Sequence, residues 1–334
     1  MSKQPAKKSK APKVSLPGRL LFNVTRAYVP KKWEGRDRMA ATLNNKAAEK
    51  AWTHSQFKAK VGYQVETVTL PQSVAYWLQP ERLAVQYDLL DVTTHQVGQK
   101  FPRQIRAILH LHGGSYVFGL SWQYVQAAYD YSAAAGGVPV LTLDYRTAPQ
   151  FPYPAALNDA VDAFNWLVAQ GFAPSQIAVT GDSAGGGLAL ALALKLRDEG
   201  ADLPGALVLL SPWTDLLAEG ASYQVNAGID PIFGTADGQP GHFPVGEFYV
   251  GKANPADPYI SPVNADFTGL PRTMILASRH ELLFSDAVQV ARAMRSEGVD
   301  VTFHSAQMMI HVWPVFFRFL PESKVAWRKI GDFF

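Results

Sequence analysis

One stretch limits what this chain can become. Ile177-Ala-Val-Thr-Gly-Asp-Ser-Ala-Gly-Gly-Gly-Leu188 runs four strand-forming residues into Gly181-Asp182-Ser183-Ala184-Gly185. A small-residue helix is expected from about Ala184 to Leu196. A G-x-S-x-G segment between a strand and a helix is the pattern of a sharp turn that lifts a serine off the end of a sheet. Side chains at Gly181 or Gly185 would crowd such a turn, and the free N–H groups of the new helix would face the Ser183 hydroxyl. The competing interpretation is a glycine-rich loop that packs tightly or cradles a phosphate, but the lysine of a phosphate loop is missing.

Around this turn the pattern is that of a layered α/β chain. Tyr63–Leu70 alternates like a half-exposed strand, and Ala84–Leu90 is expected to be a second. Nearly continuous apolar runs follow at Ala107–Leu111, Pro139–Leu143, Ile177–Thr180, Ala206–Leu210, Thr273–Ala277 and Val299–Phe303. Segments of helical length, such as Ala155–Gln170 and Ser285–Glu297, separate most of them. Buried runs alternating with helices predict a mostly parallel sheet of about eight strands with helices on both faces and the first pair antiparallel. Leu216–Gly251 breaks the alternation with Gly, Pro and aromatic residues, as a cap inserted after a strand would.

The N-terminus has a different character. Residues 1–33 hold nine Lys or Arg and no acidic residue, which leaves 22 basic and 28 acidic residues on the remainder, a net −6. The basic charge therefore belongs to a tail, and residues 1–14 are expected to be disordered. Leu20, Leu21, Val24, Ala27 and Tyr28 recur at helical spacing and predict a helix that docks on its own domain over part of a pocket. Arg38–Lys60 reads as another helix, so residues 15–60 form an N-terminal part of the cap and residues 61–334 the core. With no cysteine, the chain has no disulfide, thiolate nucleophile or cysteine-ligated metal, which suits a reducing, cytoplasmic setting. No apolar run reaches the length of a membrane span, and the start of the chain does not read as a secretory signal.

A serine becomes a nucleophile only beside a base that is itself oriented by an acid. Four histidines follow Ser183: His242, His280, His304 and His311. His311 lies after the last expected strand, in the loop before the C-terminal helix, where a base must stand; His304, at the end of that strand, competes with it. Two carboxylates follow the penultimate strand. Glu281 lies nearer the strand end, while Asp286 falls at the start of the next helix, where a capping role would explain it. Adjacent glycines in His110-Leu-His-Gly-Gly-Ser-Tyr-Val-Phe-Gly119 leave backbone N–H groups free to face a developing oxyanion, and Ala184, after the nucleophile, supplies another.

Together these pieces resemble the hormone-sensitive-lipase-like, bacterial type IV carboxylesterases of the α/β-hydrolase fold. The matching segments are His112-Gly-Gly-Ser115, Asp144-Tyr-Arg-Thr-Ala-Pro149 with Phe151-Pro-Tyr-Pro-Ala155, Gly181-Asp-Ser-Ala-Gly-Gly186, Ser211-Pro-Trp-Thr-Asp215 and His311-Val-Trp313. The resemblance implies Ser183 as nucleophile, His311 as base, Glu281 as acid with Asp286 the alternative, and oxyanion donors at Gly113, Gly114, Ser115 and Ala184. It also implies hydrolysis of short- to medium-chain esters without cofactor or metal, under a cap split between the N-terminal extension and the insertion at about 216–250. Ser115 stands where the family usually has a third glycine, Glu281 where the acid is commonly Asp, and Gln150 where Glu usually follows Ala-Pro.

The rival readings are a non-catalytic small-ligand receptor on the same fold and a basic-tail adaptor. The partners expected are an ester substrate, a weak contact of the tail with anionic membrane, and a second copy in a homodimer, with no nucleic acid.

Overall fold

The computed structural model describes residues 14–28, 59–81, 105–235, 238–239 and 245–334. The tail at 1–13, the strand expected at 84–90 and His242 lie outside these residues. So does the helix expected at 38–60, except for its last two residues, which are not helical.

The sheet begins with a hairpin, β1 (Tyr63–Thr69) and β2 (Val74–Pro80), paired antiparallel from Tyr63 opposite Pro80 to Thr69 opposite Val74. β2 falls where no strand is expected from the sequence. Its run Val-Ala-Tyr-Trp-Leu has no polar alternation because Ala75, Tyr76, Trp77 and Leu78 are all buried, on both faces. The other strands are β3 (Ala107–Leu111), β4 (Val140–Asp144), β5 (Ile177–Asp182), β6 (Ala206–Leu210), β7 (Thr273–Ser278) and β8 (Val301–Ala306). The sheet order is β1-β2-β4-β3-β5-β6-β7-β8, antiparallel as far as β4 and parallel beyond it. The last strand starts two residues later than expected and contains His304 in its interior.

Parallel strands need crossovers, and these cover both faces. On one face Leu109, Leu141, Val179, Leu207 and Ile275 meet α3 (Ala155–Ala169), α4 (Ala184–Asp198) and α7 (Phe284–Ser296). On the other, Ile108, Val140, Ala178, Val208 and Met274 meet α2 (Trp122–Ala134) and α9 (Pro321–Phe333). Central strands buried on both sides read as continuous apolar runs, which is why five of the six expected beyond residue 105 coincide closely with those observed.

The N-terminal helix α1 (Leu16–Tyr28) forms as expected but docks through a different face. Gly18 and Phe22 are buried, whereas Leu20 and Val24 are exposed. Gly18 allows close approach, since a Cβ there would lie 2.8 Å from Met309 Cε. Phe22 lies edge-on to the His280 ring, Ser15 holds Glu322 of α9, and Arg26 donates to the Gly228 carbonyl. Between β6 and β7, the insertion carries two short helices, α5 (Ser222–Val225) and α6 (Val245–Val250). A last short helix, α8 (Trp313–Phe316), follows β8.

Candidate active site

The turn after β5 has the expected geometry. Ser183 has φ 56° and ψ −120°, a conformation that a side-chain-bearing residue adopts only when its surroundings impose it. A Cβ on Gly181 would lie 2.1 Å from the Gly185 carbonyl oxygen, and one on Gly185 would lie 2.0 Å from that of Leu111. Any side chain at either position would overlap backbone. Ser183 N donates to Leu210 O at the end of β6, and Ser183 O accepts from Trp213 N, so the serine is tied on both sides to the neighbouring strand's exit.

Close packing brings the loop after β3 against this turn. A Cβ on Gly113 would lie 2.9 Å from the Asp182 carbonyl oxygen and 2.4 Å from the Tyr124 hydroxyl. Three carbonyls of the loop are held in place. Tyr145 OH donates to His112 O (2.8 Å), His112 Nδ1 donates to Gly113 O (2.6 Å), and Val117 and Phe118 N donate to Gly114 O (3.0 and 2.8 Å). In a trans peptide the N–H points opposite the C=O, so fixing these oxygens orients the N–H groups of Gly113, Gly114 and Ser115. None of those three N–H groups donates to another described residue. The N–H of Ala184, first in α4, has no acceptor within its helix. Positive φ at Gly114 (123°), Ser115 (54°) and Tyr116 (60°) curls the loop.

In the loops after β7 and β8, Glu281 and His311 form a buried pair. His311 Nδ1 donates to Glu281 Oε2 at 2.7 Å, and Glu281 Oε1 accepts from Ser278 N at 2.8 Å. Glu281 is wholly buried and His311 only 5% exposed. An ionised carboxylate can only accept, so the imidazole proton sits on Nδ1 and Nε2 keeps its lone pair. Val312 N donates to Ser211 Oγ (3.3 Å), which places the base beside the residue following Leu210, the same Leu210 that anchors Ser183. No hydrogen bond joins Ser183 Oγ to His311 Nε2 in this state, and neither atom is taken up by another described residue.

The competing residues are engaged elsewhere. His304 Nδ1 accepts from Lys329, and burial beside that cation lowers its pKa. His280 Nδ1 accepts from Met308 N, and burial with Arg279 and Arg26 nearby lowers its pKa. Asp286 is structural but does not cap its own helix. Its Oδ2 accepts from Thr214 N and Asp215 N, both at 2.9 Å, and from Tyr223 OH at 3.3 Å. Burial pushes its carboxyl well above the ordinary range, against the lowering effect of the Thr214 and Asp215 N–H groups.

Several supporting residues carry no sequence expectation. Tyr145 stacks on the His112 ring at 4.1 Å besides holding its carbonyl. Beneath the turn, His110 bridges Thr142 (2.8 Å) and Asp182 (3.2 Å), and Tyr131 OH donates to Asp182 (3.0 Å), which joins the ends of β3, β4 and β5. A cavity of about 600 Å³ opens on His311, lined by Trp122, Gln126, Ile232, Phe316 and Phe319 among others. Among the described residues no group of acidic, histidine or cysteine side chains is arranged to hold a metal ion.

Comparison with known proteins bears on the fold and the family. A family model of the alpha/beta hydrolase fold matches residues 108–315. An acetyl-hydrolase of Streptomyces hygroscopicus is 37% identical over 268 residues, 80% of this chain and 81% of that protein. An esterase of Acinetobacter venetianus is 31% identical over 68% of this chain and 73% of its own. Among solved structures, an esterase from the bacterial hormone-sensitive lipase family superimposes with a TM-score of 0.74 at 32% identity, over 96% of this chain and 98% of its own. The fold and the relatives define the class, an α/β hydrolase. More narrowly, the chain belongs to the hormone-sensitive-lipase-like carboxylesterases, a family of ester-hydrolysing enzymes.

Proposed function

We propose that the protein is a serine carboxylesterase that cleaves short- to medium-chain esters through an acyl-enzyme on Ser183. His311 Nε2 takes the Ser183 proton as Oγ attacks the ester carbonyl, and returns it to the leaving alcohol. Glu281 holds the Nδ1–H tautomer and balances the imidazolium charge. The N–H groups of Gly113, Gly114, Ser115 and Ala184 receive the oxyanion, each donor contributing roughly 3 kcal/mol to lowering the barrier. Water activated by the same imidazole then releases the acid. In this proposal residues 15–60 and 216–250 form the cap, with Ile232 as its described contribution to the cavity wall.

The observation that carries the reading is the buried Glu281–His311 pair with a free Nε2, on loops tied to the exits of the same strands as a strained serine and a loop with unused N–H groups. An apolar cavity of about 600 Å³ at the imidazole suits a small ester. One relative of known structure, 33% identical, was soaked with p-nitrophenyl butyrate. The test is p-nitrophenyl ester hydrolysis from acetate to laurate, with the acylated protein trapped by rapid acid quench and weighed by mass spectrometry. Wild type should show one acyl adduct and a preference for the shorter chains. Ser183→Ala should show neither adduct nor turnover, and turnover at the wild-type rate would refute the proposal.

A further inference from the structure

The insertion after β6 does more than border the cavity. Asp230 is buried in it, only 1% exposed, and its two oxygens reach in different directions. Oδ1 accepts from Ile232 N (2.7 Å) and Phe233 N (3.1 Å), and Oδ2 accepts from Leu282 N (2.6 Å). Each of these residues borders the site. Ile232 lines the cavity, the Phe233 ring stands edge-on to the His311 imidazole at 4.8 Å, and Leu282 follows Glu281 directly. Neighbouring side chains grip the same loop. Asn226 Nδ2 donates to the carbonyls of Arg279 (3.0 Å) and Glu281 (2.9 Å), and Ser222 Oγ accepts from Ser285 N (2.8 Å). The turn closes on itself at Gly234, where a Cβ would lie 2.4 Å from the Asp230 carbonyl oxygen.

We infer that Asp230 is a positioning residue for the reaction: one carboxylate holds the cavity wall, the ring against the base and the loop of the acid in mutual register. The inference rests on the proposed roles of Ser183, His311 and Glu281. A residue serving only the fold of the insertion would have no reason to bind Leu282, 52 positions away, through one oxygen while turning the other toward the two residues that face substrate and base. Its charge also reaches the site. The ionisable group that acts on it directly is Glu281, the acid of the proposed triad, while Arg26 of α1 reaches the same segment at the Gly228 carbonyl. Burial, with Glu281 adding to it, pushes the Asp230 carboxyl up to about 6 against the lowering effect of its three N–H partners.

The test is the pH profile of kcat/KM for p-nitrophenyl butyrate. An Asn side chain cannot accept on both sides, so Asp230→Asn breaks the bridge and removes the charge. With Asp230→Asn, kcat should fall at least about tenfold per folded molecule. The acid limb, which reports the imidazole in the free enzyme, should move to lower pH over the range in which the Asp230 carboxyl is ionised, because the imidazolium then has one fewer negative charge in the network that holds it. A limb that stays in place or moves to higher pH overturns the inference, as does a loss that only follows the folded fraction by circular dichroism. If Asp230→Asn does not fold, Phe233→Ala decides: without the apolar ring the imidazolium gains water, so the limb should move to higher pH, and a profile superimposed on wild type overturns the inference. Failure of the esterase proposal is read separately, as undiminished turnover by Ser183→Ala.

Discussion

Replacing Glu281 by Gln alters one atom in size and shape very little, yet should nearly abolish turnover. Glu281 accepts twice, from Ser278 N and from His311 Nδ1. Glutamine offers one acceptor and one donor. If its oxygen stays on Ser278, its NH₂ faces Nδ1, and the imidazole proton must move to Nε2, the atom that in the proposed mechanism receives the Ser183 proton. If the amide turns over, its NH₂ meets the Ser278 N–H in a fully buried site, leaving a donor unsatisfied at a cost of about 1–3 kcal/mol. The imidazolium also loses a charge-assisted bond, a further ~1.5–3 kcal/mol. The sum, about 3–6 kcal/mol at roughly 1.4 kcal/mol per tenfold, corresponds to a fall in kcat of about 10²–10⁴. A similar loss, about 10⁴, follows the Asp-to-Asn change in serine proteases. The assay is steady-state hydrolysis of p-nitrophenyl butyrate, with folding checked by circular dichroism. Retention of more than about a tenth of the wild-type kcat would refute the reasoning, as would Asp286→Asn falling further than Glu281→Gln.

Two more outcomes follow from neighbouring contacts. Asp286→Asn should keep kcat within about threefold and change the pH dependence of stability instead. The native carboxyl holds its proton well above the ordinary carboxylate range, so between the ordinary pKa and its native one the folded state binds more protons than the unfolded one. Wild-type stability should therefore decline with rising pH in that window relative to the Asn variant, and parallel urea-unfolding curves from pH 4 upward would refute this. Tyr145→Phe keeps the ring on His112 but frees the His112 carbonyl, so the N–H of Gly113 is less firmly aimed. kcat should fall about tenfold with KM nearly unchanged, since a donor to the oxyanion acts mainly in the transition state.

The strands that carry the site were legible because each is short, apolar and buried on both faces, and the turn at Ser183 because its glycines are demanded by backbone overlap. That Glu281 and His311 meet follows from chain order and from their positions after strand ends, and the structure joins them by a hydrogen bond. β2 is as apolar and nearly as buried as the central strands, so burial does not set it apart; the sequence puts the partner of β1 at 84–90 instead, outside the described residues. Apolar spacing alone does not choose between Leu20/Val24 and Leu21/Phe22 as the docking face of α1; the structure buries Gly18 and Phe22 and exposes Leu20 and Val24. The roles of Tyr145, His110 and Asp230 left no sequence signal, because each depends on a side chain meeting backbone or another side chain far away in the chain.

The insertion that supplies Ile232 to the cavity also grips the carbonyls and N–H groups of residues 279–285 through Ser222, Asn226 and Asp230. Among the described residues, Trp122, Phe316 and Phe319, which also line the cavity, share no hydrogen bond with that loop. The two walls therefore differ in evolutionary freedom. If the proposed relay operates, reshaping the first trades selectivity against rate, whereas reshaping the second leaves the Glu281–His311 loop untouched.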